Sequence, residues 1–293
     1  MITIKIECEY IKDESLSKHT TFKVGGKCDY YCLPKTLDEL KNIMSLIKRN
    51  HMQFKVIGNG SNLIFSSKDY KGVIINLKNI KDCEMHNTTV KIDAGYSLSK
   101  LALEVSSKGL KGLEFACGIP ASIGGAVYMN AGAYGNDMSN VIDSVTVLDE
   151  EGKIKELKNQ ECKFSYRKSI FQNSKYIILG CTLHLQEGNK EEILSLINER
   201  RERRIFSQPL DKPTAGSVFK NPEGLKAWEL IDKAGLRGKT IGGASVSEKH
   251  ANFIVNNGNA TGEDIKDLIE LIQRKVKEKY NINLKLEQEL VNF

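Results

Sequence analysis

The chain has 293 residues, 40% of them hydrophobic and 27% charged, with only 5 prolines and no low-complexity tract, which gives room for about two or three domains with cores of their own and excludes a disordered chain. A net charge of +6 fits anionic ligands, and no apolar run approaches the roughly 20 residues of a membrane span. Met1–Glu7 alternates like a strand and has no apolar signal core, so a cytoplasmic protein is expected.

In chain order, Thr36-Leu37-Asp38-Glu39 is a capping box opening a helix whose apolar positions are Leu37, Leu40, Ile43, Met44 and Ile47. Strands are predicted at Phe54–Ile57, Leu63–Phe65 and Val73–Leu77. A second set begins near Thr89, with a strand Val90–Ala94 and a helix Leu98–Lys108 stopped by Gly109. Val141–Leu148 and Lys153–Leu157 read as a hairpin about Asp149-Glu150-Glu151-Gly152, and Tyr176–Leu185 as a long strand. The helix Lys190–Arg204 leads into a last region with helices at Lys226–Ala234 and Asp264–Tyr280 and an alternating strand Ile282–Leu286. The pattern predicts an α+β or α/β chain of three regions, 1–88, 89–188 and 189–293.

The seven cysteines (Cys8, Cys28, Cys32, Cys83, Cys117, Cys162 and Cys181) are scattered and form no Cys-x-x-Cys pair, so buried reduced thiols are expected and no metal site. The basic run Glu199–Arg204 carries both signs and lacks interleaved aromatics. It reads as a solvated helix face rather than a nucleic-acid contact.

Two glycine-rich runs stand out. In Val56-Ile57-Gly58-Asn59-Gly60-Ser61-Asn62-Leu63-Ile64 an apolar strand breaks into a short polar turn and resumes. Two glycines let the backbone turn its N–H groups inward, and Ser61 and Asn62 add side-chain donors, a hollow suited to a diphosphate. The spacing is neither that of a nucleoside-triphosphate loop nor of a Rossmann turn. The second run, Gly118–Gly135, is built of glycines, alanines and few bulky polar groups, so backbone can approach a flat ligand closely with its N–H groups left as donors.

With these runs, His19–Gly26, Ser165–Phe171, Ala215–Pro222 and Gly242–Asn256, the chain resembles the UDP-N-acetylenolpyruvoylglucosamine reductase family nearly end to end and in order. The resemblance implies an α+β architecture: a two-part FAD-binding domain of the vanillyl-alcohol-oxidase/PCMH type (1–88 and 89–188), then a C-terminal α+β substrate-binding domain (189–293). It implies an oxidoreductase of bacterial cell-wall peptidoglycan synthesis with non-covalent FAD, and NADPH as the electron source. The implied partner is a UDP-sugar enolpyruvyl ether; no nucleic acid or membrane is expected, and the expected state is a monomer. Gly58, Asn59, Gly60, Ser61 and Asn62 would wrap the FAD diphosphate, and Gly118, Gly124, Gly125 and Ala126 would line the flavin.

In the implied reaction flavin N5 gives a hydride to the terminal alkene carbon and the adjoining carbon is protonated. Arg167 matches the family's carboxylate-binding arginine, a task that suits a permanently charged two-pronged donor. Ser217 matches its proton donor. For the third catalytic residue, Glu287 and Glu289 share one face of the last strand and strand alternation does not separate them; the family pattern, Glu-x-Glu before an aliphatic residue, favours Glu289. The chain then ends Leu290-Val291-Asn292-Phe293, where relatives carry a basic residue and a glycine. Lys220 and Asn221 fit contacts to the UDP part as well as they fit helix-flanking polar residues, and Tyr166 fits a substrate contact or simple packing. His250 has no visible partner and receives no catalytic role; Trp228 reads as core. No insertion between Arg167 and Ser217 is long enough for the tyrosine-bearing loop of longer relatives. Of the competing readings, alcohol oxidation on the same flavin cradle wants a base rather than the enolate-stabilising set Arg167, Ser217 and Glu289, and a non-catalytic nucleotide-binding protein leaves those three without a task.

Overall fold

The computed structural model describes residues 6–293, so most of the alternating stretch at the start lies outside the described residues. The chain forms two compact units: Met1–Lys12, Tyr30–Asn59 and Gly72–Glu202 make one, and Asp13–Asp29, Gly60–Lys71 and Arg203–Phe293 the other.

The first unit holds a five-stranded antiparallel sheet in the order Ile154–Lys158, Ile142–Leu148, Ile177–His184, Thr89–Asp93, Cys83–His86. It also contains the parallel pair Gln53–Ile57 and Gly72–Asn76, in register from Gln53↔Gly72 to Ile57↔Asn76. The helix Leu37–Arg49 turns Leu40, Ile43 and Ile47 inward, and Leu98–Ser107 buries Leu98, Leu101, Ala102 and Val105. One apolar core joins these to Val73, Ile75, Val90, Ile92, Val145, Val147 and Leu183. Thr36 caps the first helix by accepting from the Glu39 amide at 3.2 Å, while the Glu39 carboxylate accepts from Lys35 N at 2.7 Å. The hairpin tip is an Asx turn: Asp149 Oδ1 accepts from Glu151 N and Lys153 N, each at 2.9 Å, and Gly152 takes φ +79°.

In the second unit the helices Ala227–Lys233 and Gly262–Tyr280 pack with the three-stranded antiparallel sheet Thr240–Ile241, Ala244–Val246, Ile254–Asn256 around Phe22, Ile64, Phe219, Ile231, Ile265, Leu268 and Ile272. The long helix starts two residues before the predicted Asp264, because Thr261 and Asp264 form a reciprocal capping box. Ile282–Leu286 is not the predicted strand. Among the described residues it makes a single bridge, Phe219↔Leu286, closed by Lys220 N to Lys285 O at 2.9 Å and Glu287 N to Val218 O at 2.8 Å, and Pro222 beyond it has no N–H to continue a ladder. The regular strand comes later, Glu289–Val291, paired parallel with Leu63–Phe65. Trp228 is half-buried rather than core, its ring 6.3 Å from that of His250. All seven cysteines are free thiols, Cys28, Cys32, Cys162 and Cys181 fully buried.

Candidate active site

In the first unit, Gly58 and Asn59 end the strand Gln53–Ile57 against the start of the helix Ile123–Tyr128. A methyl on Gly58 would come within 2.2 Å of Ser122 Oγ, and Asn59 Nδ2 donates to Pro120 O at 3.2 Å. The two glycine runs, some sixty residues apart in sequence, therefore meet here. Asn76 fixes the turn from behind, its amide donating to Gly58 O at 3.0 Å and to the Tyr31 hydroxyl at 2.8 Å.

Gly124 is held close to the strand end, where a Cβ would lie 3.0 Å from the Ala94 methyl. The expectation that this run leaves its N–H groups as donors is corrected over much of its length: the amides of Ile119, Ala121, Ala126, Met129, Asn130 and Ala131 all donate within the protein, as do the three at the helix start. Ile123 N donates to Tyr96 O, Gly124 N to Ala94 O, and Gly125 N to Ser122 Oγ. What the half-buried Gly124 and Gly125 offer a flat ligand is closeness of approach, whereas Ala126 is fully buried. Gly118 is half-buried in the preceding loop.

Arg167 occupies the tip of a tight turn in which Ser165 and Lys168 exchange both backbone bonds, at 3.1 and 3.0 Å. Its φ of +56° is the left-handed conformation, where an arginine is less stable than a glycine by about 1–2 kcal/mol. The surroundings impose it: Asn130, fully buried and itself at φ +42°, donates to Ser165 O at 3.1 Å, and Gln172 Nε2 donates to Arg167 O at 3.2 Å. The guanidinium lies over the Tyr166 ring, 5.0 Å from its centroid, and donates to Gly132 O. Tyr166 is itself half exposed.

In the second unit, Gly60 takes φ +62°, and a Cβ there would lie 2.1 Å from His19 O and 2.8 Å from Thr20 Cα. No side chain fits. Thr21 N donates to Gly60 O at 3.3 Å, which places the His19–Gly26 motif beneath the turn. Asn62 links the Gly60-Ser61-Asn62 segment to the last strand: its Nδ2 donates to Glu287 O at 3.1 Å, and Glu289 N donates to its carbonyl at 2.9 Å.

Ser217 lies on the segment 215–219, strung between two neighbours. On one side it forms a bridge with Phe253, Val218 N donates to Asn252 O at 2.9 Å, and the buried Asn252 side chain accepts from Phe219 N at 3.0 Å and donates to Phe219 O at 2.8 Å. On the other side Glu287 N donates to Val218 O at 2.8 Å. Asn221 Oδ1 accepts from Ala227 N at 3.0 Å and so serves the start of the helix Ala227–Lys233, and Lys220 is half-buried beside it. His250 is half-buried beside Trp228 and Phe253, its Nδ1 accepting from Asn252 N at 3.2 Å. Burial lowers its pKa below the ordinary imidazole value, as expected for a packed neutral ring.

At Gly58, and separately at Gly60, an added Cβ would strike protein atoms at 2.2 and 2.1 Å, so the protein's own packing requires bare backbone at each. Asn130, Gln172, Asn252 and Gln288 support the turns that carry Arg167 and Ser217; Asn130 and Asn252 lie within runs already singled out, without a role of their own, and Gln172 and Gln288 lie outside them. For Gln288 a signal existed: Leu284, Leu286 and Gln288 share one parity, and an amide stands where alternation expects an apolar residue.

Residues 28–158 match a family described as FAD binding domain, and residues 208–291 match the family of the UDP-N-acetylenolpyruvoylglucosamine reductase C-terminal domain. Curated relatives named UDP-N-acetylenolpyruvoylglucosamine reductase include one from Caldanaerobacter subterraneus subsp. tengcongensis, 46% identical over 95% of this chain and 92% of its own, and one from Clostridioides difficile, 44% identical over 95% and 92%. The crystal structure of UDP-N-acetylenolpyruvylglucosamine reductase from Thermus caldophilus superposes with a TM-score of 0.82 at 34% identity, covering 98% of this chain and 99% of that one. Cholesterol oxidase from B. sterolicum shares the fold over 64% of this chain and 39% of its own, at 14% identity and a TM-score of 0.50.

Proposed function

The chain belongs to the UDP-N-acetylenolpyruvoylglucosamine reductase family, and from that premise we propose that this oxidoreductase reduces the enolpyruvyl ether of UDP-N-acetylglucosamine to the lactyl ether UDP-N-acetylmuramate. NADPH is the electron source, and the setting is peptidoglycan precursor synthesis in the cytoplasm, with the protein acting as a monomer. Gly58, Asn59, Gly60, Ser61 and Asn62 hold the diphosphate of FAD, and Gly118, Gly124, Gly125 and Ala126 lie against its ring system. FAD, when bound, supplies the hydride.

The observation that carries this reading is Arg167. Its left-handed backbone is strained, and Asn130, Gln172 and the Ser165–Lys168 turn hold it there. Strain of this kind is retained where a side chain must be presented in one place. A guanidinium so presented grips a carboxylate through two parallel bonds and opposes the charge that develops on the carboxylate-conjugated carbon as hydride arrives. Ser217 gives its hydroxyl proton to that carbon, which balances the addition: one hydride and one proton across the carbon–carbon double bond. An alcohol is a weak acid, so the alkoxide needs donors near it, and Glu289 acts with Arg167 in stabilising the enolate. Tyr166, Lys220 and Asn221 contact the substrate.

Ser217→Ala tests the assignment by splitting the cycle. Bleaching of the flavin by NADPH should proceed at the normal rate, and reoxidation by the enolpyruvyl sugar should slow at least 100-fold, the lower bound of what one positioned proton donor contributes, about 10²–10⁴-fold. If the two halves fall together, Ser217 is structural.

A further inference from the structure

We propose that Gln288 is a positioning residue for Ser217, a side-chain clamp that fixes the backbone on which the proton-donating hydroxyl is carried. The inference rests on the reading of Ser217 as proton donor.

From Val218 onward the Ser217 segment is held by backbone bonds on both sides: Asn252 and Phe253 on one, Glu287 on the other. Upstream of Ser217, on the side of the last strand, a side chain takes over from the ladder. Gln288 Nε2 donates to Ala215 O at 3.0 Å and to Gly216 O at 3.1 Å. Two carbonyl acceptors fix which end of the amide faces them, since only the NH2 group can donate. The clamped residues are the ones most in need of it. Gly216 takes φ +77° and nothing lies within 4 Å of the place its Cβ would occupy, so no packing restrains this hinge immediately before Ser217.

The other end of the same amide tells how strongly the position is committed. Gln288 is 4% exposed, and its Oε1 is buried with no hydrogen-bond partner. An unpaired buried acceptor is unfavourable, and an apolar residue of the same length would remove it. The chain nevertheless carries an amide on the core-facing parity of Leu284 and Leu286, and the two bonds to Ala215 and Gly216 are what that amide accomplishes. Releasing them frees the Gly216 hinge, and a shift near 1 Å in a reacting group can lower a rate about 100-fold.

The experiment uses the FAD-loaded full chain. Gln288→Leu and Gln288→Met keep volume and remove the donor. Each should leave flavin bleaching by NADPH unchanged and slow reoxidation by the enolpyruvyl sugar about 10- to 100-fold. In a Ser217→Ala background the same substitutions should add less than twofold, because the clamp acts only through that hydroxyl. An equal slowing in the Ser217→Ala background, or none in the wild-type background, overturns the proposal. Normal reoxidation in Ser217→Ala alone overturns the proton-donor reading and takes the clamp's catalytic role with it. Should both substitutions fail to fold, the unaltered protein decides: the Gln288 side-chain amide protons should exchange with solvent at least 100-fold more slowly than those of the exposed Gln186. Equal exchange rates overturn the clamp.

Discussion

The contact between the two glycine runs can be tested without any ligand, through Gly58→Ala. Gly58 does not have a positive φ, so alanine meets no backbone penalty, and the whole effect comes from space. The new methyl would lie 2.2 Å from Ser122 Oγ and 3.3 Å from Ser122 Cβ. Ser122 Oγ must therefore leave its place, where it accepts from Gly125 N at the start of the helix Ile123–Tyr128. Loss of such a cap destabilises by about 1 kcal/mol. Ser122 is 5% exposed, so a displaced hydroxyl without a partner adds about 1–3 kcal/mol. Gly58→Ala should then cost about 2–4 kcal/mol and Ser122→Ala about 1 kcal/mol. In the double variant the oxygen is gone and only the 3.3 Å contact with Cβ remains, so the two losses should not add. The total should fall near that of Ser122→Ala alone, a coupling as large as the Gly58→Ala loss itself, about 2–4 kcal/mol. Urea midpoints followed by far-ultraviolet circular dichroism, converted with a common slope, give the energies, and exchange of the Gly125 amide reports the cap itself. A coupling below about 0.5 kcal/mol would mean that the clash relaxes elsewhere and that the runs are not locked through Ser122.

Arg167→Lys should lower kcat/KM for the enolpyruvyl sugar about 100-fold while NADPH bleaching continues, because a point charge reproduces neither the two-pronged grip nor the stacking on Tyr166; near-normal turnover would count against the carboxylate clamp. The hairpin tip should respond to acid late. The Asp149 carboxyl is held down to about 2, first by its bond to Lys155 and then by the amides of Lys153 and Glu151. A depressed folded pKa means that its contribution is fully present above the unfolded value near 3.8 and is lost as pH falls through about 2, so carboxyl NMR should find its midpoint near 2, and a midpoint close to 4 would remove the Asx turn from the account.

The helices were legible because their signals are local. Apolar spacing in Leu37–Arg49 chooses the buried face, and Thr36 and Thr261 mark starts by residue type alone. The glycine turns were legible for a similar reason, since a position that tolerates no Cβ can hold only glycine. What excludes the Cβ was not legible. His19 O beside Gly60 and Ser122 Oγ beside Gly58 come from segments far along the chain, and nothing at the glycines names them. Long-range pairing is hidden in the same way: alternation tells which face of a strand is buried but not which strand lies alongside. Ile282–Leu286 alternates well yet forms no ladder, whereas Glu289–Val291 pairs with Leu63–Phe65, more than two hundred residues away.

The candidate site divides along the same line. Arg167, Ser217 and Glu289 were singled out by the family resemblance, since an arginine after a strand, a serine after a glycine and two glutamates on one strand face have ordinary structural readings of their own. The residues that place them were silent, because an amide used to hold a backbone looks like any other amide. Asn130 and Gln172 beneath Arg167 and Asn252 beside Ser217 each spend a polar side chain on main-chain groups. Such bonds hold Arg167 at its unfavourable φ of +56°, and Gln288 does the same for the freely turning Gly216 at φ +77°. A polar residue on the buried parity of a strand or loop, beside a motif that carries chemistry, is therefore the sequence feature to search for when the supports of a site are sought.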